Sequence, residues 1–196
     1  SHIGKSENFV SHSHNLPKNK VAELKAALDP HIWLDPENAK VITQKTVQIL
    51  SDFDPENAQK FQKNGEKIIV RLNELDELLS SKMIEISDRT YLVLHDAYQY
   101  FESRYHLKSA GSITLQLEHF LGVSRLKKVQ KMIQTSKVRC IFTEPQYSQK
   151  LVKTLIKDSS VKKGILDPIG VDILPGPELY FDLLKNLSIS LKSCLN

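Results

Sequence analysis

Apolar residues spaced three and four apart, Ala58, Phe61, Gly65, Ile68, Leu72, Leu75, Leu79, Met83 and Ile86, run through the middle of the chain. Side chains at this spacing share one face only at 3.6 residues per turn, so the stripe specifies a long amphipathic α-helix. Asp54-Pro55-Glu56 supplies its start: an N-cap acceptor, a proline with helical φ, and an acid at the positive end of the dipole. A helix from Pro55 to Ser87 is predicted, roughly 50 Å long at 1.5 Å per residue. That exceeds what one small domain needs for its own packing, and a helix connecting two lobes is the expectation. A coiled-coil arm is the weaker alternative, because Gly65 sits in the stripe and consistent flanking charge pairs are missing.

The same start signal occurs earlier, in Asp35-Pro36-Glu37, and predicts a helix to about Ser51. Ahead of it, Asp29-Pro30-His31-Ile32-Trp33-Leu34-Asp35-Pro36 is a compact segment whose prolines fix the backbone at both ends. Residues 1–20 read as a polar surface loop carrying His2, His12 and His14, and a short apolar helix over Val21 to Leu28 follows. After Asp88 the pattern changes. Strands are predicted over Thr90 to Leu94, Ser109 to Thr114, Val138 to Phe142 and Gly164 to Leu166. Helices over Tyr98 to Tyr105, Ser124 to Thr135, Ser148 to Ile156 and Pro177 to Leu191 alternate with them. Alternation of this kind predicts an α/β fold with a parallel sheet covered on both faces.

Composition excludes some classes. With 40% apolar residues in 196, the chain can bury a sizeable core. Lys and Arg exceed Asp and Glu by 27 to 23, too small a margin to argue for nucleic acid or a membrane surface. No stretch approaches the roughly 20 consecutive apolar residues of a membrane span. Ser1 to Lys5 contain no export signal, which is expected upstream of this sequence, and His2 carries less weight as a candidate tag remnant. The two cysteines, Cys140 and Cys194, read equally well as one disulfide or as two unrelated buried thiols.

His95 is the most informative single residue, because it follows Tyr91-Leu92-Val93-Leu94 at the carboxyl end of a predicted parallel strand, where open α/β sheets bind ligands. Asp167 and Glu144 follow their strands in the same way. Capping of the next helix is the alternative, and it is the preferred reading for Asp96 and Glu144. His31 lies outside the predicted sheet, beside Trp33. His106, His119 and the basic run Arg125, Lys127, Lys128 and Lys131 are read as surface or packing residues. His31, His95 and Asp167, if they converge, give two imidazoles and a carboxylate, a set suited to Zn²⁺ and tolerable to Mn²⁺. No phosphate loop, nucleophile elbow or zinc-protease helix is present in the sequence.

Four motifs in order carry a resemblance: Asp29 to Pro36, then His95-Asp96-Ala97-Tyr98-Gln99-Tyr100-Phe101, then Phe142-Thr143-Glu144-Pro145-Gln146-Tyr147, then Leu166-Asp167-Pro168-Ile169-Gly170 with Gly176-Pro177. Together they resemble the zinc-binding receptors of bacterial ABC importers, the ZnuA type. The resemblance implies a two-lobed metal receptor, not an enzyme, with its lobes joined by the long helix and an incomplete N-terminal lobe in this sequence. On that reading residues 1–53 are the remnant of the N-terminal lobe, 54–88 the connecting helix and 89–196 the C-terminal α/β lobe. It implies His31, His95 and Asp167, or water in place of Asp167, as metal ligands, with a further histidine upstream of the sequence. It also implies a Cys140–Cys194 disulfide, a periplasmic or extracytoplasmic location, and an importer permease as partner, with neither nucleic acid nor a small-molecule substrate besides the ion. His12 and His14 are candidates for gathering metal in the loop. Manganese is the alternative metal, a zinc hydrolase with Glu144 as base the alternative activity, and a surface adhesin the non-metal alternative.

Overall fold

Capping carboxylates and prolines set the first two helices of the computed structural model, which describes residues 29–114, 130–131, 133–147, 153, 156 and 160–196. Asp35 Oδ1 accepts the backbone N–H of Glu37 at 2.9 Å, and Pro36 opens helix α1, Pro36–Phe53. Asp54 accepts from Asn57 N at 3.3 Å, but here the chain first makes a 3₁₀ turn, Pro55–Asn57, before α2, Ala58–Met83. A second 3₁₀ turn, Ile84–Ile86, ends the run. The expected helix over 55–87 is thus an α-helix of 26 residues, about 39 Å long, with a tighter turn at each end. Its stripe is buried at Leu72, Leu75, Leu79 and Met83. Gly65 has a specific reason: a Cβ there would stand 2.5 Å from Cγ2 of Val47, so the missing side chain is what lets α1 and α2 approach.

After α2 come β1, Thr90–His95; α3, Gln99–Arg104; β2, Lys108–Thr114; β3, Cys140–Thr143; β4, Lys162–Ile165; and α4, Leu179–Leu195. The four strands form one sheet in the order β2-β1-β3-β4, every neighbouring pair parallel. Alternation along the strands divides the core in two. On one face Tyr91, Val93, Cys140 and Phe142 pack with the α2 stripe and with Phe181, Leu184, Leu187 and Leu191 of α4. On the other, Leu92, Leu94, Ile113 and Ile141 pack with Ile133 and Val138. Each such fully buried side chain contributes about 1.5–3 kcal/mol of transfer free energy. Strands β1 and β3 are therefore apolar at consecutive positions, as a doubly covered parallel sheet requires.

Cys140 on β3 and Cys194 on α4 form a disulfide, Cα to Cα 6.0 Å, which ties the last helix to a central strand. The segment His31–Asn196 is one compact unit. Among the described residues no helix is long and apolar enough to cross a membrane. The expected helix over Val21 to Leu28, most of those over Ser124 to Thr135 and Ser148 to Ile156, and His2, His12, His14 and His119 lie outside the described residues.

Candidate metal centre

Strand register builds one half of the site. Val93 of β1 is opposite Phe142 of β3, so two residues further on His95 stands level with Glu144. Both continue the alternation of the face that carries Tyr91, Val93, Cys140 and Phe142. His95 Nδ1 and Glu144 Oε1 are 3.0 Å apart. The other carboxylate oxygen, Oε2, accepts from Gln146 Nε2 at 2.7 Å. The Glu144 side chain is 2% exposed and that of His95 29%, so the pair has a sealed inner end and an open outer one. Burial pushes the Glu144 carboxyl above its ordinary value; the neighbouring His95 and, more weakly, His31 pull it back without cancelling the rise.

The other half of the site comes from the proline-bounded segment. His31 precedes a 3₁₀ turn, Ile32–Leu34, whose Leu34 is fully buried in the core. Trp33 anchors the turn in two directions: its Nε1 donates to Pro168 O at 2.8 Å, and its carbonyl accepts from Tyr180 Oη at 2.8 Å. The His31 ring lies 5.2 Å from the Trp33 ring and 5.1 Å from the His95 ring, centre to centre. Two imidazoles bonded to a single tetrahedral zinc ion at about 2.0–2.1 Å would have ring centres about 5 Å apart. The start of α1, just beyond the turn, is held by Arg104, which donates to Asp76 of α2 and to Glu37 Oε1, the latter at 3.1 Å.

Asp167 follows β4 at the same carboxyl edge, but its carboxylate organises its own loop. Oδ1 accepts from Ile169 N at 3.1 Å and Gly170 N at 2.9 Å, and Oδ2 accepts from Val171 N at 2.6 Å. Gly170, at φ +75°, gives the loop the left-handed residue this wrap requires. Its charge is felt nearby, where it adds to the upward push on Glu144 and Tyr98. The structure thus brings His31 and His95 together and leaves Asp167 beside them, engaged with backbone. Among the described residues, no three His, Cys, Asp or Glu side chains are already gathered as a metal cage. A cavity of about 180 Å³ is lined by Asp167 together with Asp172, Ile173, Asn186 and Ser190 among others, and includes neither histidine.

Glu144, read from the sequence mainly as a cap for the next helix, reaches sideways to His95 in the structure; the start of that helix lies outside the described residues. The signal was in the pattern, since two adjacent parallel strands each end in a polar residue, and what was missing was their register.

Fold and site define a parallel α/β protein in which two imidazoles face each other beside the carboxyl edge of the sheet, where open α/β sheets bind their ligands. The chain belongs to the family described as ZnuA, zinc-uptake complex component A, periplasmic, whose family model matches residues 2–194. It is 39% identical over 168 residues to the high-affinity zinc uptake system protein ZnuA of Brucella suis, covering 86% of this chain and 50% of that protein. The chain therefore spans about half the length of the curated relatives it matches. Among solved structures it resembles a Zn(II)-bound variant of AdcAII from Streptococcus pneumoniae, with a TM-score of 0.70, 29% identity, and coverage of 86% of this chain and 63% of that one. A crystal structure of ZnuA gives a TM-score of 0.74 at 23% identity over 88% of this chain and 63% of that one, a likeness of fold.

Proposed function

We propose that the chain is the metal-holding portion of an extracytoplasmic receptor that captures Zn²⁺ and passes it to an ABC importer in the membrane. The 5.1 Å approach of His31 and His95 is the observation that carries this reading. In the proposed site neutral His31 and His95 each give one nitrogen to the ion. Asp167 or a water, and a histidine from the portion of the relatives that this chain does not span, complete a near-tetrahedral shell. Two imidazoles favour zinc over manganese, which takes oxygen ligands more readily. The zinc uptake function of the curated relatives and the Zn(II)-bound state of the AdcAII variant support the same ion.

The environment of Glu144 favours a receptor over a hydrolase. A hydrolytic zinc site needs a general base facing an open coordination position. Glu144 was the candidate, yet it is buried with both oxygens hydrogen-bonded. In the proposed arrangement residues 1–53 belong to the N-terminal lobe, 54–88 to the connecting helix and 89–196 to the C-terminal lobe. The partner is the importer's permease, the location the periplasm, and His12 and His14 help gather metal.

Calorimetric zinc titration of a chain extended to the relatives' length tests the reading. The expected result is one tight site that His31→Ala and His95→Ala each weaken by about 100-fold or more. Unchanged affinity in either variant removes that histidine from the site, and no zinc binding by the parent protein refutes the proposal.

A further inference from the structure

His95 has two ring nitrogens, and a cation can use only one that carries no proton. Which nitrogen is free is set by what the other one bonds. Here Nδ1 faces inward to Glu144 Oε1 at 3.0 Å. A carboxylate oxygen accepts, so an ionised Glu144 calls for the hydrogen on Nδ1 and leaves Nε2 as the nitrogen with a free lone pair. Glu144 is itself fixed, because it sits at the end of β3 and its second oxygen takes the Gln146 amide at 2.7 Å.

We infer that Glu144 is a positioning residue for metal capture: it holds His95 in the Nδ1–H tautomer with Nε2 aimed at the ion, and Gln146 holds Glu144. This inference rests on the proposed function for its consequence, but its geometric half stands without a metal. A buried carboxylate with both oxygens occupied is not a ligand in waiting; breaking either bond would leave a buried oxygen unsatisfied. Its negative charge, next to the two imidazoles, also favours a cation over an anion or a neutral guest at that edge.

Two readouts test it. Long-range ¹H–¹⁵N spectra of the metal-free chain report the His95 tautomer, and zinc titration reports the consequence. The parent protein is expected to show His95 protonated at Nδ1. Glu144→Gln can turn its amide NH₂ toward Nδ1, which shifts His95 toward the Nε2–H form and weakens zinc by about 10- to 100-fold. Gln146→Ala, at an exposed position that leaves the core intact, frees one carboxylate oxygen and weakens zinc by about 2- to 5-fold. An unchanged tautomer in Glu144→Gln, or zinc affinity unchanged in both variants, overturns the inference. Should Glu144→Gln fail to fold, unchanged affinity in Gln146→Ala overturns it alone. Failure of the parent to bind zinc would instead refute the proposed function, while the tautomer measurement would still decide the role of Glu144.

Discussion

Arg104 shows how single residues hold the candidate site in place without touching it. Its guanidinium donates to Asp76, through Nε at 3.1 Å and through Nη2, and to Glu37 at 3.1 Å, so α3 is clamped to α2 and to the start of α1 just after His31. Tyr105 Oη adds a second donor to Asp76 at 3.0 Å. Burial alone would push the Asp76 carboxyl up, but the hydrogen bonds from Arg104 and Tyr105 outweigh it and leave the group below its ordinary 3.8. A carboxyl whose folded value lies below its unfolded one contributes stability that is fully present above the unfolded value and lost as pH falls toward the folded one. Asp76→Asn is therefore expected to lower stability near neutral pH by about 1–3 kcal/mol, the cost of weakened bonds to a charged group. The gap between parent and variant should close below pH 3.8, which urea unfolding at a series of pH values would show. Glu102 acts with the opposite sign. Burial raises its carboxyl despite hydrogen bonds from Tyr91 and Ser109, so its contribution improves on acidification and partly masks the loss at Asp76.

At the scale of elements, the contact of α1 with α2 turns on one glycine. A Cβ at position 65 would meet Val47 Cγ2 at 2.5 Å, and valine, stiff about χ1, cannot swing aside. Gly65→Ala is expected to cost about 1–3 kcal/mol in thermal or denaturant unfolding despite alanine's better helix propensity. Val47→Ala combined with Gly65→Ala should recover most of the loss; a double variant as unstable as the single one would locate the strain elsewhere. This contact also marks what the sequence could and could not reveal. The apolar stripe and Asp-Pro-Glu starts announce the helices because both signals are local in the chain. Gly65 reads there only as a flaw in the stripe, since its reason lies on a different helix. The same divide runs through the site. That His95 and Asp167 would close their strands at the carboxyl edge was legible from alternation of strands and helices. The pairing of His95 with Glu144 depends on the β1 to β3 register, and the backbone wrap around Asp167 depends on loop geometry, neither of which has a local signature.

For the molecule as a whole, the disulfide is the longest-range covalent constraint, and spacing alone could not distinguish it from a pair of buried thiols. It joins β3, at the centre of the sheet beside the strand that ends in His95, to α4, whose apolar face covers that sheet. Cys140 and Cys194 are both buried, so reduction is expected to require opening of α4 rather than simple exposure to a thiol. The bridge closes a loop with a sequence separation of 54, for which chain-entropy reasoning gives about 4 kcal/mol of stabilisation. Loss of the bridge should therefore lower the urea midpoint substantially, in a Cys140→Ser/Cys194→Ser double variant or after reduction under denaturing conditions and refolding with thiols blocked. The effect on metal should be smaller than the effect on stability. His95 is fixed by Glu144 and the β1 to β3 ladder, and His31 by Trp33 contacts to Pro168 and Tyr180, none of which involves either sulfur. Zinc affinity within about threefold of the parent, measured where the variant is still folded, is the expected outcome, because no hydrogen bond of the site is removed. A loss comparable to that of Glu144→Gln would mean that α4, pinned by the disulfide, sets the position of Tyr180 and through it of His31.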